Sequence, residues 1–550
     1  MEAKPLIIQS DMSLMLDTHA SSFEEARAQI AMFAELEKSP EHFHIYRISN
    51  LSIWNAAASG VSVDEIMEIL NANSRFPVPV NIPVQVSESY KRYGRLLLTT
   101  GSGDELLLTT AEKGDWTILK EISAQKSLRK YLGPAENGYT VKALDRGTVK
   151  QLLIKLGWPV KDLVPLKAGA PFAVALNDRV RVRDYQREAT DVFLGRGKPG
   201  SGFGVVVLPC GAGKTVVGID VMTQVKNETL ILAANVAAAR QWIREIIDKT
   251  DISPDQVGEY SGASKAIKPV TVATYQILVW RKDKESEFEH FRLFTERRWG
   301  LIIYDEAHLL PAPVFRITAE IQSIRRLGLT ATLVREDHAE EDVFSLIGPK
   351  RYDMPWRDLE KKGWIASAYC IEVKVDFNEE ERIKYAVAER RQKIRLAAEN
   401  RRKQAVAAAI IRKHEGESIL VMGQYLEQLK ELSAFLKAPL ITGKMPHNER
   451  EIIYEKFRNG EVKLLVVSKV ANFSIDLPDA SVAVQISGTF GSRQEEAQRL
   501  GRILRPKECS CYFYSLVSRF TEEELFSANR QKFLAEQGYT YQIEDESTFI

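Results

Sequence analysis

Cysteine is scarce in this sequence, and its spacing rules out its usual structural uses. The 550 residues hold four, Cys210, Cys370, Cys509 and Cys511. No two are spaced as CxxC, and the Cys509/Cys511 pair has no companion cysteine or histidine cluster, which argues against structural zinc and against a disulfide framework. A reducing cytoplasm is the expected setting, nucleoid-associated if the source is bacterial. Net charge is nearly absent as well: 75 Lys and Arg against 74 Asp and Glu leave +1. Any polyanion must therefore be held by local patches rather than by the field of the whole molecule. No apolar run approaches the roughly 18 residues of a membrane span, and the opening MEAKPLIIQSDMSLML has neither an acid-free apolar stretch of leader length nor a small-residue cleavage site. The expectation is an unexported protein with no membrane association. Repeats of about 20–50 residues and low-complexity tracts are also missing, so a solenoid is not indicated. What remains is globular composition, 45% hydrophobic and 27% charged, in a chain long enough for three or four domains.

From about 179 to 349 short apolar runs alternate with helical stretches: GVVVL (204–208), TLILAA (229–234), VTVA (270–273), LIIYDE (301–306) and RRLGLTA (325–331). Continuous apolar strands separated by helices are what a parallel sheet covered on both faces requires. The rhythm returns with SILVM (418–422), KLLVV (463–467), SVAVQIS (481–487) and CYFYSL (511–516). The reading is two tandem α/β lobes, residues 179–365 and 366–550, preceded by an α+β accessory region of one or two domains over 1–178. Within that region Ser62 and Glu65 form a capping-box pattern, and the proline-bearing stretch 73–86 reads as an extended connector.

Chemistry concentrates at the ends of these strands. GVVVL runs into PCGAGKT, which places Gly211, Ala212 and Gly213 between a strand and a helix start. There backbone N–H groups can approach a phosphate, Lys214 reaches the β and γ phosphates of ATP, and Thr215 binds Mg²⁺. The strict GxxxxGK[ST] pattern needs glycine where Leu208 stands, so the match is to the PxGxGKT variant. LIIYDEAH then puts Asp305 and Glu306 at another strand end, Asp305 as a Mg²⁺ holder and Glu306 as the base that orients and deprotonates the attacking water. His308 either senses the nucleotide or caps the next helix. Upstream, Arg183 and Gln186 in VRDYQREA are either adenine readers or the solvated start of a helix. Thr330 and Thr332 in LTAT end a strand beside the acidic turn.

In the second half, VSKVANFSIDLP presents Ser474 and Asp476, and QRLGRILRP sets Arg499, Arg502 and Arg505 three residues apart. Like charges at that spacing share part of one helical face and repel unless an anion compensates them. If the lobes face each other, the anion is the γ-phosphate of ATP: Arg502 and Arg505 are candidate arginine fingers, and Gln498 and Arg499 bridge to neighbouring motifs. Such a finger is worth about 10³–10⁵ in rate.

Taken in order, RDYQ, PCGAGKT, DEAH, TAT, SIDLP and QRLGRILR resemble the superfamily 2 helicases and translocases over about residues 180–520. LGLTATLVRED with SIDLP and EEAQRLGRILR is more closely similar to the xeroderma pigmentosum group B (XPB) family of DNA repair helicases, with the triplet Arg335, Glu336 and Asp337 the most diagnostic part. The resemblance implies two RecA-like lobes, ATP and Mg²⁺, 3′→5′ movement on DNA in excision repair or transcription-linked opening, and a part for that triplet in unwinding. SKVANFSIDLP departs from the family with Ala471, Asn472 and Phe473.

The family also implies a thumb-like helical insertion, here near 376–413, where residues 382–413 hold eleven Lys and Arg against Glu389 and Glu399. Such a patch would track a phosphate backbone, with Arg390, Arg391, Lys393 and Arg395 as leading contacts, or form a solvated helix face. Tyr275, Asn235 and Arg240 are either nucleic-acid contacts or structural. Expected partners are single-stranded, forked or damaged duplex DNA, with a partner nuclease because no carboxylate cluster for cutting lies outside the ATP motifs. A monomer is the expected state. Two other readings stay open: an RNA-dependent helicase, and a nucleotide-switched scaffold that recruits a partner.

Overall fold

The computed structural model describes residues 4–38, 42–112, 115–195, 201–209, 211–282, 288–322, 324–331, 340–354, 359–360, 362–364, 368–468, 480–487, 510–536 and 541–550. Four sheets organise them. The first unit pairs β1 (Leu6–Ile8), β2 (Ser13–Asp17), β3 (Glu35–Lys38) and β4 (Phe43–Arg47) antiparallel in the order β1-β2-β4-β3. The second joins β5 (Leu96–Thr100), β6 (Glu105–Thr110), β7 (Gly133–Ala135), β8 (Gly138–Lys142) and β9 (Val160–Asp162) in the order β7-β8-β6-β5-β9. Each has its own apolar core, so the N-terminal region is two α+β units.

Ser62 caps the helix Val63–Asn73 by accepting from the Glu65 N–H at 3.1 Å, as its sequence pattern predicts. The connector expected over 73–86 is corrected by the structure: residues Asn81–Arg92 form a helix, with Pro83 in its first turn. There an N–H has no intrahelical acceptor, so proline's missing donor costs nothing.

Two parallel sheets of RecA-like form follow. The first has β10 (Phe203–Val207), β11 (Thr229–Ala233), β12 (Val257–Tyr260), β13 (Val270–Thr274), β14 (Leu301–Asp305), β15 (Arg325–Thr330) and β16 (Lys350–Asp353), in the order β12-β13-β11-β14-β15-β10-β16. The second has β17 (Ala368–Val375), β18 (Ile419–Gly423), β19 (Leu440–Ile441), β20 (Leu464–Ser468), β21 (Val482–Gln485), β22 (Cys511–Ser518) and β23 (Tyr541–Asp545), in the order β19-β20-β18-β21-β22-β17-β23. Both faces are buried, which is why the strands read as unbroken apolar runs. Val206 and Ile231 join one cluster while Val205, Leu230 and Leu232 join the cluster on the opposite face, following the two-residue alternation of a strand.

The N-terminal units lie against the first lobe. Ser59 Oγ donates to the Lys350 carbonyl at 2.8 Å, and the Lys350 N–H donates to Asn55 Oδ1 at 2.9 Å. At Gly147 an added Cβ would sit 2.4 Å from Ala319 Cα, so glycine permits a close approach of the second unit to the helix Ala312–Glu320. Among the described residues no helix is long and apolar enough to cross a membrane.

Candidate active site

Three neighbouring strands, β10, β15 and β14, end at the same edge of the first sheet, the edge where open parallel sheets hold ligands. Beyond β10 the chain turns through Gly211 and Gly213, with φ of 80° and 78°, values that cost a residue with Cβ about 1–2 kcal/mol. At Gly213 an added Cβ would also lie 2.5 Å from Gln186 Nε2, so the Gln186 amide would have to move. Lys214 and Thr215 open the helix Lys214–Val225, so loop N–H groups and the helix dipole act together on whatever anion sits there. Lys214 Nζ lies 3.4 Å from the Leu208 carbonyl and 3.7 Å from Glu306 Oε1.

That glutamate belongs to the turn after β14. Trp242 Nε1 donates to Asp305 Oδ2 at 2.9 Å, and the Glu306 N–H donates to Oδ1 at 3.1 Å. Burial, and then the adjacent Glu306 carboxylate, push the Asp305 carboxyl up to about 7, with the Trp242 bond working in the opposite sense. Glu306 itself has φ 47°, a left-handed conformation that a residue with Cβ adopts at a cost and that concentrates at functional turns. His308 is buried, with Nδ1 2.6 Å from Thr330 Oγ1 and 3.5 Å from Glu306 Oε2. The histidine therefore ties the acidic turn to the end of β15.

Gln186, 3% exposed, braces the phosphate loop. Its Nε2 donates to the Ala212 carbonyl at 3.0 Å, its Oε1 accepts from the Arg183 N–H at 3.0 Å, and Tyr185 OH donates to the same Ala212 carbonyl at 2.7 Å. Nε2 also donates to the Tyr185 hydroxyl at 3.5 Å, so both amide N–H groups have acceptors and one Oε1 lone pair remains. The Arg183 guanidinium stands 4.4 Å from the centre of the Trp364 ring. Neither Trp242 nor Trp364 stood out in the sequence. For Trp242 the available cue was helical spacing, which puts Ala239, Trp242 and Ile246 on one buried face of the helix Val236–Lys249.

The nucleic-acid candidates divide. Tyr275 is 4% exposed and its hydroxyl donates to the Asp305 carbonyl at 2.9 Å, which fits the structural one of its two readings: it supports the acidic turn from within the core. Asn235 caps the helix Val236–Lys249 by accepting from the Ala238 N–H. Arg240 is exposed and pairs with Glu259 at 3.1 Å.

The basic stretch forms three helices, Glu379–Val387, Arg390–Ala398 and Arg402–Lys413. Arg391 is exposed, Arg390 is 81% exposed in its side chain and touches Glu522, and Lys393 lies over the Tyr385 ring. Arg395 pairs with Glu399 at 2.8 Å. Lys403, by contrast, is fully buried against Glu523 at 2.7 Å, and Arg402 pairs with Glu546 at 2.6 Å. Acids distant in sequence thus offset part of the local excess. Asp476, Gln498, Arg499, Arg502 and Arg505, the triplet Arg335, Glu336 and Asp337, and also Thr332 and Ser474, lie outside the described residues.

Comparison with known proteins bears on the whole chain. It is 50% identical over 551 aligned residues to the DNA 3′-5′ helicase XPB of Mycobacterium tuberculosis, covering 99% of this chain and 98% of that protein. The chain belongs to the XPB helicase family. An XPB protein of the same description from Kineococcus radiotolerans is 49% identical, covering 98% of this chain and 96% of its own. The XPB subunit of general transcription and DNA repair factor IIH from Encephalitozoon cuniculi is 33% identical, over 98% and 83%. The family described as ERCC3/RAD25/XPB C-terminal helicase matches residues 359–549, the type III restriction enzyme res subunit family matches 179–335, and a helicase conserved C-terminal domain family matches 6–136.

Proposed function

We propose that this chain is an ATP-dependent DNA helicase of superfamily 2 and the DEAH-box type, moving 3′→5′ and acting in DNA repair or transcription-linked duplex opening. The observation that carries this reading is the 3.7 Å approach of Lys214, after β10, to Glu306, after β14, across the end of the intervening β15 in a chain of the XPB family. Lys214 would hold the β and γ phosphates, and Glu306 would orient the attacking water and take its proton. The oxygen donors of Thr215 and Asp305 suit a hard divalent cation. Mg²⁺ held by these two would neutralise charge developing on the phosphates. Arg183 and Gln186 border the nucleotide site, and Gly211, Ala212 and Gly213 line its phosphate end.

We assign 179–365 and 366–550 as the two motor lobes and 1–178 as the accessory region. Asp476, Gln498, Arg499, Arg502 and Arg505 would complete the site from the second lobe, Arg502 and Arg505 as fingers. Arg335, Glu336 and Asp337 would act in unwinding, while Arg390, Arg391, Lys393 and Arg395, with Arg240, would grip the DNA backbone. The eukaryotic relative's place in a repair and transcription factor supports partner proteins, and we propose a nuclease among them.

The test is steady-state ATP hydrolysis by the purified protein without polynucleotide and with single-stranded DNA, forked DNA or RNA, at two salt concentrations. DNA should stimulate turnover more than RNA, and less so at high salt. Lys214→Ala and Glu306→Gln should each remove the stimulated rate while circular dichroism stays unchanged. Turnover indifferent to every nucleic acid would overturn the reading.

A further inference from the structure

Between the two lobes the chain makes one turn and sets an indole ring against the first lobe. Leu359, fully buried, anchors the near end of this connection in the core. The Gly363 N–H donates to the Glu360 carbonyl at 2.8 Å and the Trp364 N–H to the Leu359 carbonyl at 2.9 Å, and Gly363 takes φ 70° to allow it. The backbone of Trp364 is thereby fixed to the first lobe, four residues before β17 opens the second at Ala368.

A short chain of contacts joins this ring to the phosphate loop. Its centre lies 4.4 Å from the Arg183 guanidinium. Arg183 Nη1 donates to the Tyr185 hydroxyl at 3.2 Å, and that hydroxyl donates to the Ala212 carbonyl at 2.7 Å. Gln186, three residues on from Arg183, donates to the same carbonyl at 3.0 Å and keeps one Oε1 lone pair. Arg183 and Trp364 therefore stand beside the one polar edge that Gln186 still offers.

Two planar groups thus lie together at the border of the site. A guanidinium stacks on ring faces, and an indole presents a large rigid surface to another ring. Trp364 keeps 38% of its surface exposed, so its contact with Arg183 leaves part of the ring open to a further partner. A role confined to holding the linker gains little from that arrangement, because an exposed cation–π contact contributes weakly and the turn already fixes the backbone. A flat ring carried to the Gln186 edge by phosphates seated at Lys214 is the partner that suits this wall.

We propose that Arg183 and Trp364 form the wall on which the base of the bound nucleotide stacks, with Gln186 Oε1 meeting the base edge, so that the segment joining the lobes supplies a nucleotide-binding residue. This rests on the reading of the site as one that binds and hydrolyses ATP. It assigns to Trp364 a share of the affinity that comes from the base and not from the phosphates.

The experiment is isothermal titration of the full-length protein in Mg²⁺ with ADP and, separately, with inorganic tripolyphosphate, which has no base. Wild type, Trp364→Ala, Trp364→Phe and Lys214→Ala are compared. Removing an aromatic from a stacked base costs roughly five- to 150-fold in affinity, so Trp364→Ala should weaken ADP at least fivefold and leave tripolyphosphate within about twofold. Trp364→Phe keeps a ring and should bind ADP more tightly than the alanine variant. Lys214→Ala should weaken both ligands, which tests the motor-site reading apart from the stack. The proposal is overturned if Trp364→Ala binds ADP within about twofold of wild type, if it weakens ADP and tripolyphosphate equally, as a purely structural hold on the linker would, or if Trp364→Phe is as weak as Trp364→Ala. Should wild type bind neither ligand, the motor-site reading falls and the stack with it.

Discussion

Trp242→Phe tests whether the acidic turn depends on a side chain from the neighbouring helix. The indole N–H reaches Asp305 Oδ2 at 2.9 Å, and the ring lies against the helix that begins at Lys214: an added Cβ on Gly218 would sit 2.6 Å from Trp242 Cη2. Phenylalanine keeps much of the packing and removes the donor. A hydrogen bond to a charged group contributes about 1.5–3 kcal/mol, which converts to roughly ten- to a hundredfold in rate. Loss of a partner that orients a metal-holding carboxylate independently costs about 10–100-fold in metal affinity or activity. The two estimates coincide. DNA-stimulated ATPase should therefore lose one to two orders of magnitude in kcat/KM and need more Mg²⁺ for half-maximal rate. The assay is a Mg²⁺ titration of stimulated turnover measured over a range of ATP concentrations from below to above KM, with circular dichroism to verify the fold. A kcat/KM and a Mg²⁺ midpoint both within about twofold of wild type would refute the argument that this bond positions Asp305.

Gly213→Ala must adopt a left-handed φ and displace the Gln186 amide, so affinity for a fluorescent ATP analogue should fall at least tenfold by about 1.4 kcal/mol of strain or more; unchanged affinity would show that the loop relaxes freely. For the basic helices, Arg390→Ala and Arg391→Ala should each lower the salt dependence of DNA binding by about one unit of log–log slope, whereas Lys403→Met, buried against Glu523, should leave the slope alone, as anisotropy titrations would show. Stability should also follow pH through the buried cluster of Arg146, Lys150 and Asp162. Lys150 titrates near 7 in the fold, below its ordinary 10.5, so the unfolded chain binds more protons across that window and stability rises from pH 7 toward 10. Lys150→Met should flatten this rise in urea midpoints. Asp162, held near 2 by Lys150 and then Arg146 against the cost of burial, acts in the acid range: its stabilisation is present above its ordinary 3.8 and is lost as pH falls toward 2. Asp162→Asn at neutral pH should cost about 3–5 kcal/mol, because it leaves buried cations unmatched.

Much of the motor was legible from local pattern alone. Both faces of a parallel sheet are covered, so GVVVL, TLILAA and LIIYDE could only be unbroken apolar runs, and the glycines of PCGAGKT mark the positions where the backbone must turn left-handed. Short edge elements such as β12, β16 and β19 gave no such signal, since an edge strand has fewer neighbours to dictate its composition. The helix at Asn81–Arg92 was hidden because proline in a first turn looks the same in sequence as proline in a connector.

What the sequence determined by itself was therefore periodicity and the identity of groups that must sit at strand ends: Lys214, Thr215, Asp305 and Glu306. Tertiary structure alone decided the partners that arrive from far along the chain. Trp242 on Asp305, Tyr275 beneath the acidic turn and His308 on Thr330 join different elements. Glu522, Glu523 and Glu546 offset arginines and lysines more than a hundred residues away, so a local charge count overstates the patch. The cavity beside Phe203 exists only because the two N-terminal units and the first lobe meet there. Electrostatic and packing energies depend on distance in space, and a sequence pattern records only distance along the chain.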